Sequence, residues 1–163
     1  MNQQIHILAV DDEADIREIV RILLESKGYD PMAYRLFCLQ SHYRRNLVFS
    51  WENLDNAVAA YDKLIAKIAG LNAESADAID EEAFANLKKR FSDAMDNDLN
   101  TALAVTAVYD VLKAKTNDAT KIALLKDFDT VLCLNMLEEA AKVREANKKA
   151  AEAAKNAPAA ALV

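Results

Sequence analysis

The densest group of residues able to grip a ligand is His42-Tyr43-Arg44-Arg45. Two guanidiniums beside an aromatic ring can hold phosphates bidentately and position a nucleic-acid stem. The same four residues also have a structural use: Arg44 and Arg45 solvated or capping helix carbonyls, His42 and Tyr43 packed in a bundle. A second basic run, Lys88-Lys89-Arg90, lies between Leu87 and Phe91 on an amphipathic pattern, which puts it on a solvated helix face. Asp98, Asn100 and Thr101 carry oxygens suited to the free N–H groups that open a following helix. Asp11 and Asp12 form an acidic pair, but two carboxylates without a third ligand hold a divalent ion poorly, and N-capping of the next helix uses them better. Cys38 and Cys133 are isolated in apolar runs and match no metal-ligand spacing, so each reads as a small hydrophobe. No catalytic group, metal or cofactor is expected.

The elements that must position these residues are helices. The chain has 163 residues, 2 Gly, 2 Pro and 31 Ala. An all-β fold would need a turn signal every 8 to 12 residues or so, and the residues that make turns are missing. Ala is the strongest helix former, so the composition predicts a mostly α chain, a bundle of five to seven helices. The one strand-like segment is Ile5 to Val10, a short branched apolar run ended by Asp11-Asp12-Glu13. From Asp15 the period changes: Ile16, Ile19, Val20, Leu23 and Leu24 form one helix face, and Gly28 marks its stop. Asp30-Pro31 opens a second helix, expected to run to about Arg45 and to bury Met32, Leu36, Leu39 and Tyr43. Ser50 caps a third, whose Trp51, Leu54, Val58, Tyr61, Ile65 and Ile68 form a heptad-like seam up to Gly70. Residues 71–80 read as a linker. Further helices follow through Phe84 to Met95, Leu103 to Leu112 and Ile122 to Phe128, with Asp129 capping a segment from Val131 to Leu137. The tail 138–163 has helix propensity but little to bury.

Charge and hydropathy bound the function classes. The net charge of −6 opposes nucleic-acid binding through overall electrostatics, so any such binding is expected to be weak. Residues 32–70 are the exception, with 5 basic and 3 acidic groups. No apolar run approaches the roughly 20 residues of a membrane span, and no basic leader precedes Ile5, which with the two lone thiols suggests a reducing, cytoplasmic setting.

Two resemblances rest on these strings. IHILAVDDEADIREIVRILLESKGYD, within residues 1–30, resembles the opening of a response-regulator receiver domain: strand, acidic pair, amphipathic helix, Gly-aromatic turn. In that family the acidic pair, here Asp11 and Asp12, helps hold Mg2+ for phosphoryl transfer. The later strands, phosphoacceptor Asp and Lys of a receiver cannot be read in this chain; Asp55 follows an apolar run but sits inside the third-helix seam. From Leu24 onward, LLESKGYDPMAYRLFCLQSHYRRNLVFSWENLDNAVAAYDKL, FSDAMDNDLNTALAVTAVYDVLK and LLKDFDTVLCLNML are similar, in family order, to the helical bundle beside the catalytic domain of cysteinyl-tRNA synthetases. The resemblance implies a class I synthetase-type module of the stem-contact or anticodon-binding kind, spanning residues 31–137 and touching tRNA. It also implies that Cys133 stands where the family usually has Gly. The family's His-Ile-Gly-His element, lysine loop and zinc site belong upstream of Leu24 and do not appear, so a catalytically inert module is expected. Both families carry a string like LLE-x-x-GYD at the junction, which suggests a chimeric chain. The alternative expectation is a chimeric or truncated structural domain with no ligand, self-associating as a homodimer through residues 5–10.

Overall fold

A computed structural model describes residues 14–156, and among them are seven helices and no strand. The segment Ile5–Val10, its expected pairing with a second copy, Asp11 and Asp12 lie outside the described residues. The helices are α1 (Ala14–Ser26), α2 (Pro31–Leu39), α3 (Trp51–Ala69), α4 (Glu81–Asp96), α5 (Thr101–Lys113), α6 (Asp118–Leu132) and α7 (Met136–Asn156). The mostly α bundle expected from composition is what forms.

Helix starts follow the capping residues in the sequence. Asp30, Ser50, Asp80, Asn100 and Asn117 each accept a backbone N–H two or three residues ahead, supplying a partner that the first turn lacks. Gly28, at φ +72°, supplies the left-handed turn after α1. The linker 71–80 is tied to the start of α6: the Asn72 N–H donates to Asp118 at 2.8 Å, and the Asp80 N–H donates to the buried Thr120 hydroxyl at 2.9 Å.

The main core joins α2 to α7. Leu36, Ile65, Ile68, Val108, Leu124, Leu125 and Phe128 are buried together, and the Phe91 and Phe128 rings stack at 4.1 Å. The α3 seam works as expected through Leu54, Tyr61, Ile65 and Ile68, with α2 on one flank and α7 on another. Tyr61 also donates its hydroxyl to Leu134 O at 2.7 Å, which satisfies a polar atom inside the core. A smaller cluster of Leu24, Phe37, Leu54 and Ala57 fixes α1, bordered by the stacked rings of Tyr29 and Trp51. Only part of the expected α1 face is used: Leu24 is buried and Val20 packs beside it, while Ile19 and Leu23 stay exposed.

Three expectations change. Helix α2 ends at Leu39 rather than near Arg45, because the Gln40 and Ser41 N–H groups close a terminal turn onto Leu36 O and Cys38 O, and the Ser41 carbonyl accepts the Thr101 hydroxyl instead of an α2 N–H. Tyr43 is consequently exposed, not buried. Asp129 does not precede a new helix at Val131; α6 continues to Leu132, and the Asp129 carboxylate reaches forward to the N–H groups of Leu134 at 2.7 Å and Met136 at 2.8 Å. The start of the 138–163 segment also buries more than expected, with Ala140 in the core and Arg144 donating to Ile68 O at 3.3 Å.

Candidate nucleic-acid interface

Residues 40–50 leave α2, cross the end of the bundle and enter α3 at Ser50. They hold their course through specific bonds. The Arg45 N–H donates to His42 O at 2.8 Å, the Asn53 side-chain amide to Val48 O at 3.1 Å, and the Thr101 hydroxyl to Ser41 O at 3.4 Å. The connector is therefore fastened to both α3 and the start of α5. Beneath it lies an open groove of about 380 Å³ lined by Phe37, Gln40, Ser41, Leu47, Asn53 and Asn56.

The four predicted residues sit on this connector. His42 and Tyr43 stack at 4.9 Å, and the Arg44 guanidinium lies 5.3 Å from the Tyr43 ring centre. Tyr43 is 61% exposed and the Arg44 side chain 67%, so the ring and the fork both meet solvent. The Arg45 side chain is exposed, and no hydrogen bond or ion pair ties it to another described residue. This geometry combines a solvent-facing aromatic surface with two cations on one short segment.

Asp98 changes the electrostatics of that segment. It was expected to cap α5, yet Asn100 performs the capping and Asp98 turns toward the connector. One Asp98 oxygen accepts the Tyr43 hydroxyl at 2.6 Å and the Arg44 Nη2 at 3.1 Å; the other accepts the Arg44 Nε at 2.5 Å. His42 Nε2 stands 3.8 Å from the same carboxylate, and His42 Nδ1 accepts the Arg44 N–H at 3.2 Å. The hydrogen bond from Arg44, then that from Tyr43, holds the Asp98 carboxyl below its usual range. The same bond raises the Tyr43 phenol in return. Asp98 and Leu99 reach this position through successive left-handed conformations, φ +54° and +51°, in the corner between α4 and α5. Two arginines against one carboxylate leave a single net positive charge when His42 is neutral. Sequence spacing could not reveal this partner, because Asp98 lies 54 residues from Arg44.

The remaining polar candidates have structural partners. Lys88 pairs with Asp127 at 3.2 Å, Lys89 with Asp93 at 2.7 Å and Arg90 with Asp110 at 3.4 Å, as a solvated helix face would. Asp55, inside α3, accepts the Tyr29 hydroxyl at 2.6 Å. Thr101 opens α5 and serves the connector. Cys38 is half-buried, and burial pushes its thiol up, away from reactivity. Cys133 is exposed in a left-handed C-cap at φ +50°, a position where glycine carries no steric cost. Among the described residues no group of three or more His, Cys, Asp or Glu side chains could hold a metal ion, and no helix is long and apolar enough to cross a membrane.

Comparison with known proteins falls on the same helices. Residues 90–132, from the middle of α4 to the end of α6, match the DALR domain family. The chain is 41% identical over 125 residues to cysteine–tRNA ligase of Novosphingobium aromaticivorans, covering 74% of this chain and 25% of that protein. It is 35% identical over 115 residues to cysteine–tRNA ligase 1 of Burkholderia lata, covering 71% and 23%, and 34% identical over 146 residues to that of Caldicellulosiruptor saccharolyticus, covering 80% and 30%. This helical bundle is thus similar to part of the cysteine–tRNA ligases, matches the DALR domain family over residues 90–132, and spans about a quarter of the length of the curated relatives it matches.

Proposed function

We propose that this chain is a helical tRNA-contacting module of the cysteine–tRNA ligase type, catalytically inert by itself, in which residues 42–45 touch the RNA. The observation that carries the reading is the exposed Tyr43 ring, with the Arg44 guanidinium 5.3 Å from its centre and the exposed Arg45 next in the chain, on a connector bonded to α3 and α5. Such a surface stacks on bases or sugars through the ring and holds phosphates through the cations. Similarity to ligases whose names specify tRNA as their substrate supports RNA as the ligand. No step of aminoacylation is assigned to any residue of this chain. Tyr43, Arg44 and Arg45 face the RNA, with His42 stacked on the Tyr43 ring.

A second reading is favoured by the net charge of −6 and by Asp98, which already occupies Arg44. In it the chain is a chimeric or truncated structural domain, residues 1–30 being a receiver-like piece, with no ligand of its own. A tRNA titration followed by fluorescence anisotropy at several salt concentrations separates the two. The module reading predicts measurable affinity at low salt, with a log–log slope that Arg44→Ala/Arg45→Ala lowers by at least about 0.7, the weight of one phosphate contact. Absence of binding at low salt refutes it and leaves the structural reading.

A further inference from the structure

We propose that Asp98 is a specificity-determining residue of the 42–45 surface: it neutralises Arg44 and fixes it beside Tyr43, leaves Arg45 as the phosphate contact, and so weakens the surface for indiscriminate polyanions. The RNA part of this inference rests on the tRNA-contact reading above; the electrostatic part does not.

The geometry is that of a closed fork. Both Asp98 oxygens are engaged, Oδ1 by the Tyr43 hydroxyl and the Arg44 Nη2, Oδ2 by the Arg44 Nε. A phosphate seeking a bidentate grip on Arg44 competes for donors that Asp98 already holds, and meets the Asp98 charge as it arrives. Arg45 has no such competitor among the described residues, although it is the next residue in the chain. Two adjacent arginines that look equivalent in sequence are therefore unequal: Arg45 is a cation with no carboxylate partner among the described residues, and Arg44 offers a neutralised planar group lying beside an aromatic ring.

The Asp98 position is also costly to maintain. Asp98 and Leu99 are consecutive non-glycine residues in left-handed backbone, each less favourable than an ordinary helical or extended residue. The left-handed corner also closes α4, whose Met95 and Ala94 carbonyls accept the Leu99 and Asn100 N–H groups at 3.1 and 3.0 Å, while Asn100 caps α5 through the Leu103 N–H at 3.2 Å. Neither helix end uses the Asp98 side chain, whose carboxylate is engaged instead by Tyr43 and Arg44 on the connector. Specificity gained by an opposing charge is a recognised design in binding surfaces: every polyanion loses affinity, and a ligand with further contacts loses proportionately less.

The test is a cycle of Asp98→Asn, Arg44→Ala and the double variant, with Arg45→Ala beside it. Asn tolerates left-handed backbone well, so Asp98→Asn leaves the corner intact, and circular dichroism verifies the helices. Two probes are titrated, a tRNA transcript and inorganic tripolyphosphate. Asp98→Asn is expected to tighten tripolyphosphate about fivefold, the weight of one unit charge at contact distance in water. It is also expected to steepen the tRNA salt slope by about 0.7–0.9, one added phosphate contact. Asp98→Asn/Arg44→Ala should return the slope to that of the unmodified protein, and Arg45→Ala should lower it by one contact. Unchanged or weaker tripolyphosphate binding by Asp98→Asn overturns the inference, because Asp98 would then be a support for Arg44 and not its competitor. Tighter tripolyphosphate binding with no tRNA bound by any variant upholds the role of Asp98 and refutes the tRNA-contact reading.

Discussion

The joint between α6 and α7 is held by the Asp129 carboxylate together with donations from Tyr61 to Leu134 O and from Arg35 to Leu132 O, and Asp129→Ala should reveal how much the carboxylate carries. Between Leu132 and Met136 the chain reverses in three residues, two of which, Cys133 and Asn135, are left-handed at φ +50° and +52°. The carboxylate accepts N–H groups from Leu134 and Met136 at 2.7 and 2.8 Å, and both side chains are fully buried. A hydrogen bond to a charged group contributes about 1.5–3 kcal/mol. The two bonds are only partly shielded, so water can replace part of what is lost, and the expected destabilisation is about 2–3 kcal/mol. For a chain of this size that lowers Tm by about 4–12 °C. Asp129→Asn, which keeps one acceptor oxygen, should lose about half as much. Urea and thermal unfolding followed at 222 nm measure both. A loss under about 0.5 kcal/mol for Asp129→Ala would mean instead that core packing and the other bonds close the joint without the carboxylate.

Other positions give equally definite expectations. Cys133→Gly relieves a left-handed L-residue in an exposed cap and should stabilise the protein by about 0.5–1 kcal/mol after the greater chain entropy of glycine is counted; a lower Tm would contradict this. Asp80→Ala removes the α4 cap and its bond from the Thr116 hydroxyl at 3.0 Å, and unfolding should show a loss of about 1–2 kcal/mol. The Ala83 N–H, then the Thr116 hydroxyl, holds the Asp80 carboxyl below its ordinary value of 3.8, and Asp98 is likewise depressed. A depressed carboxyl stabilises the folded chain fully above its unfolded pKa and loses that contribution as pH falls through its folded pKa. Stability should therefore fall as pH drops below about 4, and Asp80→Asn should flatten the acid limb of the unfolding profile.

Much of the bundle was legible because its signals are local. Asp30 and Ser50 fixed two helix starts, and the spacing of Leu54, Tyr61, Ile65 and Ile68 defined the seam of α3. The α2 terminus was not legible. Tyr43 continues the apolar period of Leu36 and Leu39, but a phenol that can reach a carboxylate across the bundle is better satisfied outside the core. The basic–aromatic segment was visible as a motif, whereas its electrostatic state depends on Asp98 from a corner no spacing rule connects to it. The same limit applies to Asp129, which looked like a cap for the segment beginning at Val131 and instead spans a joint whose left-handed residues, Cys133 and Asn135, carry no glycine signal.

Amide hydrogen exchange with and without tRNA locates the contact without altering the protein. If residues 42–45 touch the RNA, exchange should slow at residues 41–46 and at the α4–α5 corner around residues 97–101, which the Thr101 and Asp98 bonds join to the connector. Exchange at these residues unchanged by saturating tRNA, or slowed only along α7, would contradict that contact.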